Sequence, residues 1–146
     1  MIRTATPEDV PQIVELASRS LVEGPYSSMF ADDPNKTAAI AAQLLAQPNS
    51  EILVADEGGK LVGLFAFTIG PNYYSGQVGA TEMIWYVSPE GRPGGNGMKL
   101  KWEAENKAKE MGAQYMALGA PTPETEAMYA HLSGYRKVET MFLRAL

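Results

Sequence analysis

Two hydrophobic periods divide the chain. Near the start, Val10, Ile13, Val14, Ala17 and Leu21 recur at helical spacing. Thr6-Pro7-Glu8-Asp9 ahead of them offers a capping hydroxyl, a proline suited to a first turn and two carboxylates for the positive end of a helix dipole. Gly24-Pro25 closes this helix, and an Ala- and Leu-rich second helix is predicted over 34–46, stopped by Gln47-Pro48-Asn49. The spacing then changes to that of strands, at 52–55 and 61–69, joined by the hairpin turn Glu57-Gly58-Gly59-Lys60. Residues 2–5 read as a short first strand and 83–87 as a further one, reached through a longer loop over 70–79.

Helical spacing returns over 98–111, with Leu100, Ala104, Ala108 and Met111 on a buried stripe and Gly112 as the cap. Glu103–Lys107 and Glu105–Lys109 are expected as exposed i,i+4 pairs, worth ~0.3 kcal/mol each. A short buried strand over 115–118, a last helix over 125–132 closed by Gly134, and one or two final strands within 135–146 complete the order. Strand, two helices, three strands, helix, strand, helix, strand is an α/β (α+β) order with a mixed sheet, in one domain over 1–146.

Composition narrows the function classes. The 146 residues are 45% hydrophobic, enough for a real core, and no run approaches the ~18 apolar residues of a membrane span. The first residues lack the apolar run of a secretory signal, so a cytoplasmic location is expected. With no cysteine, disulfides, thiol nucleophiles and thiolate metal sites are all excluded, and no ligand cluster suggests a metal. The net charge of −5 argues against a nucleic-acid partner and mildly favours a cationic substrate.

The chemistry concentrates between Glu82 and Leu100. Ser88-Pro89-Glu90-Gly91 breaks the strand, and Arg92-Pro93-Gly94-Gly95-Asn96-Gly97 leads into the helix that opens at Met98. Such a loop points backbone N–H groups at one spot, an anion site with phosphate as its usual occupant. It lacks the Lys-Ser or Lys-Thr of a nucleoside triphosphatase loop, and Leu100 stands where the third glycine of a dinucleotide fingerprint would be. Arg92, Gly95 and Gly97 instead make R-x-x-G-x-G.

On these residues, and on the element order of the whole chain, the sequence resembles the GNAT family of acetyl-CoA-dependent N-acetyltransferases. The resemblance implies a single GNAT-like domain with a central sheet of about six to seven strands, splayed between strands 4 and 5 and flanked by about four helices. It implies that Arg92, Pro93, Gly94, Gly95, Asn96, Gly97 and Met98 hold the pyrophosphate of coenzyme A, with Pro93 where many members carry Gly. It further implies that the pantetheine arm pairs with the backbone of Trp85, Tyr86 and Val87, where a free N–H can also stabilise an oxyanion. Tyr129, in Y-x-x-x-x-G-[FY] with Gly134 and Tyr135, matches the family's late motif, in which a tyrosine protonates the departing thiolate. Thr122 stands where that motif opens with an Asn that touches the cofactor.

Other roles stay open at this point. Alternation puts Glu82, Ile84 and Tyr86 on one strand face, with Met83, Trp85 and Val87 on the other. A carboxylate on such an apolar strand can carry a raised pKa and act as general base, as a Glu near this point does in several family members; otherwise it is a solvated strand-end group. Tyr129 can serve as an acid or simply pack its ring. Tyr26, Phe30, Tyr73 and Tyr74 fall in the two loops that flank the family's acceptor site, and either shape a substrate pocket or pack locally. The function expected is acetyl transfer from acetyl-CoA to a primary amine of a small molecule or peptide. The alternative is an acyl-CoA-binding or structural module without transfer. A homodimer is a family tendency only.

Overall fold

The computed structural model describes all 146 residues. In chain order the elements are β1 (Ile2–Thr4), α1 (Val10–Glu23), α2 (Pro34–Ala46), β2 (Ser50–Glu57), β3 (Lys60–Pro71), β4 (Val78–Val87), α3 (Asn96–Glu110), β5 (Met116–Ala117) and α4 (Pro123–Tyr129). The five strands form one sheet in the order β1-β2-β3-β4-β5, antiparallel except for the parallel β4–β5 pair. The chain is an α/β domain with helices on both faces of a mixed sheet.

Alternation along the central strands builds both cores. Ile52, Val54, Leu64, Ala66 and Tyr86 face α1 and α2, which contribute Ile13, Leu16 and Ala41. Leu53, Ala55, Phe65, Phe67 and Val87 face α3, which contributes Leu100, Ala104 and Ala108. Each large side chain so buried stabilises the fold by about 1.5–3 kcal/mol before entropy is counted. The expected α3 stripe is therefore the buried one. On α1 the buried pair is Ile13 and Leu16, and Leu16 lies outside the stripe read from spacing. The Gly58-Gly59 hairpin turn joins β2 to β3 as expected.

Several expectations are corrected. The sheet has five strands rather than six to seven, because residues 136–146 form none. The chain there is held by side chains instead: the Tyr135 hydroxyl donates to Glu105 Oε1 (2.7 Å), and Lys137 Nζ bonds Glu126 Oε1 (2.7 Å). Beyond them Val138, Met141 and Phe142 face solvent. β5, with two paired residues, offers too short an edge to template another strand. It is also only partly buried. The pairs Glu103–Lys107 and Glu105–Lys109 do not form, since Glu105 is taken by the buried Lys101 (2.7 Å) and Lys107 reaches Glu110 (3.9 Å). β4 begins at Val78, which shortens the loop before it to Asn72–Gln77.

The feature that positions the site is a splay. β4 pairs with β5 only at Ala80 and Thr81, through Met116 and Ala117. Past Thr81 the two strands diverge, and β4 up to Val87 has a neighbour only on its β3 side.

Candidate active site

The glycine-rich loop is built by two backbone requirements. Pro89–Gly94 forms a 3-10 turn, and Gly95 then sits at φ +69°, a left-handed conformation that a side chain disfavours. That residue ends the turn and caps α3. The first helical hydrogen bond runs from the Lys99 N–H to the Gly95 carbonyl (3.2 Å), so Asn96, Gly97 and Met98 have no intrahelical acceptor for theirs. These N–H groups lie at the positive end of a 15-residue helix, the arrangement from which the sequence led to the expectation of an anion site.

Side chains brace this loop from below. Asn96 is buried, and its Nδ2 donates to Glu57 Oε1 (3.0 Å) and to the Gly91 carbonyl (2.9 Å). Gly91 is packed so closely that a Cβ would lie 2.7 Å from Cβ of Val62. Arg92 is turned toward α1: its Nε donates to the Val87 carbonyl (3.0 Å) and its Nη2 to Glu23 Oε2 (2.6 Å). Glu23 Oε1 accepts from the Tyr86 hydroxyl (2.5 Å), and these partners hold the Glu23 carboxyl below its usual range. In return, burial and the bond to Glu23 push the Tyr86 phenol up to about 12. Spacing carried no hint of Glu23, which reads as an ordinary helix-end carboxylate.

A β-bulge corrects the face assignment of β4. Phe67 pairs with Glu82 and the next residue back along β3, Ala66, pairs with Ile84, so Met83 is the extra residue. Strict alternation would leave Glu82 opposite in sense to Trp85. The bulge instead puts Glu82, Trp85 and Val87 on one face, the one toward α3, and leaves Ile84 and Tyr86 on the other. Such a register slip has no signal in the local pattern.

Around this face the site residues gather. Glu82 is half-buried, and its Oε2 accepts from the Gly119 N–H (2.8 Å), which bridges the splay to the loop after β5. Desolvation raises its pKa to about 7, and the Gly119 bond opposes part of that rise. Tyr129, near the end of α4, stacks on Trp85 with ring centroids 5.3 Å apart and planes at 14°. Such offset stacks contribute roughly 0.5–1.5 kcal/mol beyond burial. The Tyr129 phenol is driven well above its ordinary range by burial first and by the charge of Glu82 second. Phe65, its cross-strand partner on β3, is a second aromatic neighbour of the indole, at 5.6 Å and tilted by 43°.

The remaining predicted residues lie elsewhere. Thr122 is the N-cap of α4, its hydroxyl accepting from the Thr125 N–H (3.2 Å) in a capping box. Tyr26 and Phe30 stack on each other at 6.0 Å in the α1–α2 connection. Tyr73 and Tyr74 pair at 4.4 Å on the β3–β4 loop, almost fully exposed. Each loop thus packs its own aromatic pair. A cleft of about 180 Å³ between α3 and β5, lined in part by Ala108, Tyr115, Met116 and Tyr135, contains none of the predicted site residues. No group of side chains has the makings of a metal site, and no helix is long and apolar enough to cross a membrane.

Comparison with known proteins bears on the family and the fold. Residues 11–135 match the model of the acetyltransferase (GNAT) family. No curated protein matches the chain in sequence. Among solved structures, the aminoglycoside 6'-N-acetyltransferase AAC(6')-IG of Acinetobacter haemolyticus is similar, with TM-score 0.78 and 17% identity over 100% of this chain and 97% of that one. A ribosomal-protein-alanine N-acetyltransferase of Brucella melitensis has TM-score 0.76 and 20% identity, over 99% and 98% of the two chains. A predicted acetyltransferase of Clostridium acetobutylicum, solved with acetyl-CoA, has TM-score 0.77 and 16% identity, over 99% and 95%.

Proposed function

The chain belongs to the GNAT acetyltransferase family, and from that premise we propose that it moves the acetyl group of acetyl-CoA to a primary amine by direct attack. The cofactor supplies a thioester, whose acyl carbon is open to a nucleophile. The residues present fit such a ligand. Gly94, Gly95 and Gly97 carry no side chain that would obstruct a ligand there, and the N–H groups of Asn96, Gly97 and Met98 are available to a pyrophosphate. The edge of β4 at Trp85, Tyr86 and Val87 has no strand beside it on the β5 side and can take an extended arm by backbone pairing.

Proton movement falls to two side chains. Glu82, titrating near 7, takes a proton from the substrate ammonium, directly or through water. Tyr129, whose phenol is kept protonated by its surroundings, returns one at the leaving sulfur. The observation that supports this reading is the bulge at Met83, which turns Glu82 to the face of β4 on which Trp85 stacks with Tyr129. The named activities of the similar structures make aminoglycosides and peptide N-termini reasonable acceptors to assay first, together with polyamines.

Calorimetric titration with acetyl-CoA, followed by thiol release in the presence of spermidine, kanamycin or an Ala-terminated peptide, tests the proposal. Micromolar binding and turnover of one amine are expected. Tyr129→Phe is expected to lower kcat by ~10–100-fold while acetyl-CoA affinity stays unchanged. A variant turning over at the wild-type rate would remove the acid role, and indifference to acetyl-CoA would remove the whole reading.

A further inference from the structure

α4 raises a mechanical problem. It is seven residues long and none of its residues is fully buried, Tyr129 being only partly so. A helix this short has little stability of its own. Its capping box fixes where it starts, but not where its far end points. Yet Tyr129 lies at that far end, and general acid catalysis is sensitive to displacements of about 1 Å.

Trp85 supplies the missing constraint. It stands on β4, a strand held by β3 along its length, which makes it a rigid point of attachment. Its indole reaches across the splay and lies nearly parallel to the Tyr129 ring. Phe65 on β3 also packs on it, with ring centroids 5.6 Å apart, and Val87 lies in the same cluster. At its edge, a Cβ on Gly97 would be 4.0 Å from both Cζ2 and Nε1, so the indole extends from the phosphate loop to the phenol. An aliphatic side chain would close the core at this half-buried position, whereas only an aromatic plane can orient a ring laid against it.

We propose that Trp85 is a positioning residue whose indole face sets the place and tilt of the Tyr129 phenol. The inference rests on the acid role of Tyr129 argued above. It also assigns Trp85 a side-chain function separate from any backbone pairing by β4.

Four variants test it: Trp85→Leu, Trp85→Phe, Tyr129→Phe and the double variant Trp85→Leu/Tyr129→Phe. Each is assayed by thiol release with acetyl-CoA and whichever of spermidine, kanamycin or the Ala-terminated peptide turns over. Trp85→Leu is expected to lose about tenfold in kcat with the KM for acetyl-CoA little changed. Trp85→Phe, which keeps a ring, should recover most of that loss. In the double variant the leucine should add nothing to the effect of Tyr129→Phe, because the phenol it positions is already gone. Aromatic NMR gives a second readout: the Tyr129 ring protons, identified by their loss in Tyr129→Phe, should be shielded by the indole in the wild type and not in Trp85→Leu.

Trp85→Leu at full kcat alongside a slow Tyr129→Phe would overturn the positioning role and leave the acid role standing. A tenfold loss that persists in the double variant would overturn it too, because the indole would then be acting on something else. Tyr129→Phe at full rate, or no turnover of any of the three amines, would remove the acid role and this inference with it.

Discussion

Glu82 carries the sharpest consequence for pH. Its carboxyl titrates at 4.5 in a free chain and at about 7 in the fold. If it is the base, kcat/KM should rise with pH and reach half its limiting value near 7, and Glu82→Gln should abolish that limb of the profile. Stability runs the other way. Below about 4.5 both states hold the proton; between 4.5 and 7 the unfolded chain releases it first, so the folded state loses stability as pH rises through that window. The full shift corresponds to about 3 kcal/mol at most. Glu82→Gln is thus expected to raise Tm by several degrees at pH 8 and hardly at all at pH 4, a comparison that calorimetry makes directly. The candidate residues themselves could be read from the chain, since Glu82 and Tyr129 each sit in a recognisable local context. Their proximity could not, because it depends on an extra residue at Met83 that leaves no mark on composition.

The strand–loop–helix unit from β4 to α3 behaves as one element, and its glycines have distinct tasks. Gly95 provides the positive φ that ends the 3-10 turn, and Gly91 lets the turn lie on Val62. Gly91→Ala, with its Cβ 2.7 Å from Val62 Cβ and 3.0 Å from the Val62 carbonyl oxygen, must push the loop off β3. A loss of ~1–3 kcal/mol is expected, measurable by urea unfolding, with weaker acetyl-CoA binding because the α3 N-terminus moves too. Gly95→Ala should cost ~1–2 kcal/mol through backbone strain alone. Most elements were legible because helix and strand periods act over a few residues; α2 has the bounds that its spacing and stop signal predict. The end of the chain was not. Residues 138–143 have strand-like composition, but a strand also needs an edge to pair with, and that is a property of the sheet.

Across the molecule, the first strand and the first helix are tied to the hairpin by one arginine. Arg3 donates to both oxygens of Asp9 (2.7 and 2.9 Å) and to Asp56 Oδ2 (2.9 Å), with the Asp9 side chain only 8% exposed. Asp9 also accepts from the Thr6 N–H (2.8 Å). The Arg3 guanidinium is the main reason why the Asp9 carboxyl is lowered to about 2 from 3.8. A depressed carboxylate adds stability above its unfolded pKa and loses it as pH falls, here between about 4 and 2. The shift amounts to about 2 kcal/mol. Asp9→Asn is therefore expected to lower stability by about that much at pH 7 and to flatten acid unfolding in this window, with activity at neutral pH retained.

The chain alone specified the glycine loop, the helix that follows it and the two-sided character of the central strands, because each is set by neighbours close in sequence. Tertiary structure decided what those parts do together. Arg92 meets Glu23 across 69 residues, Glu82 meets Gly119 across 37, and Trp85 meets Tyr129 only because β4 and β5 part where they do. Contacts of that span depend on the register of the whole sheet, and a single bulge in that register was enough to move the carboxylate to the face where the phenol lies.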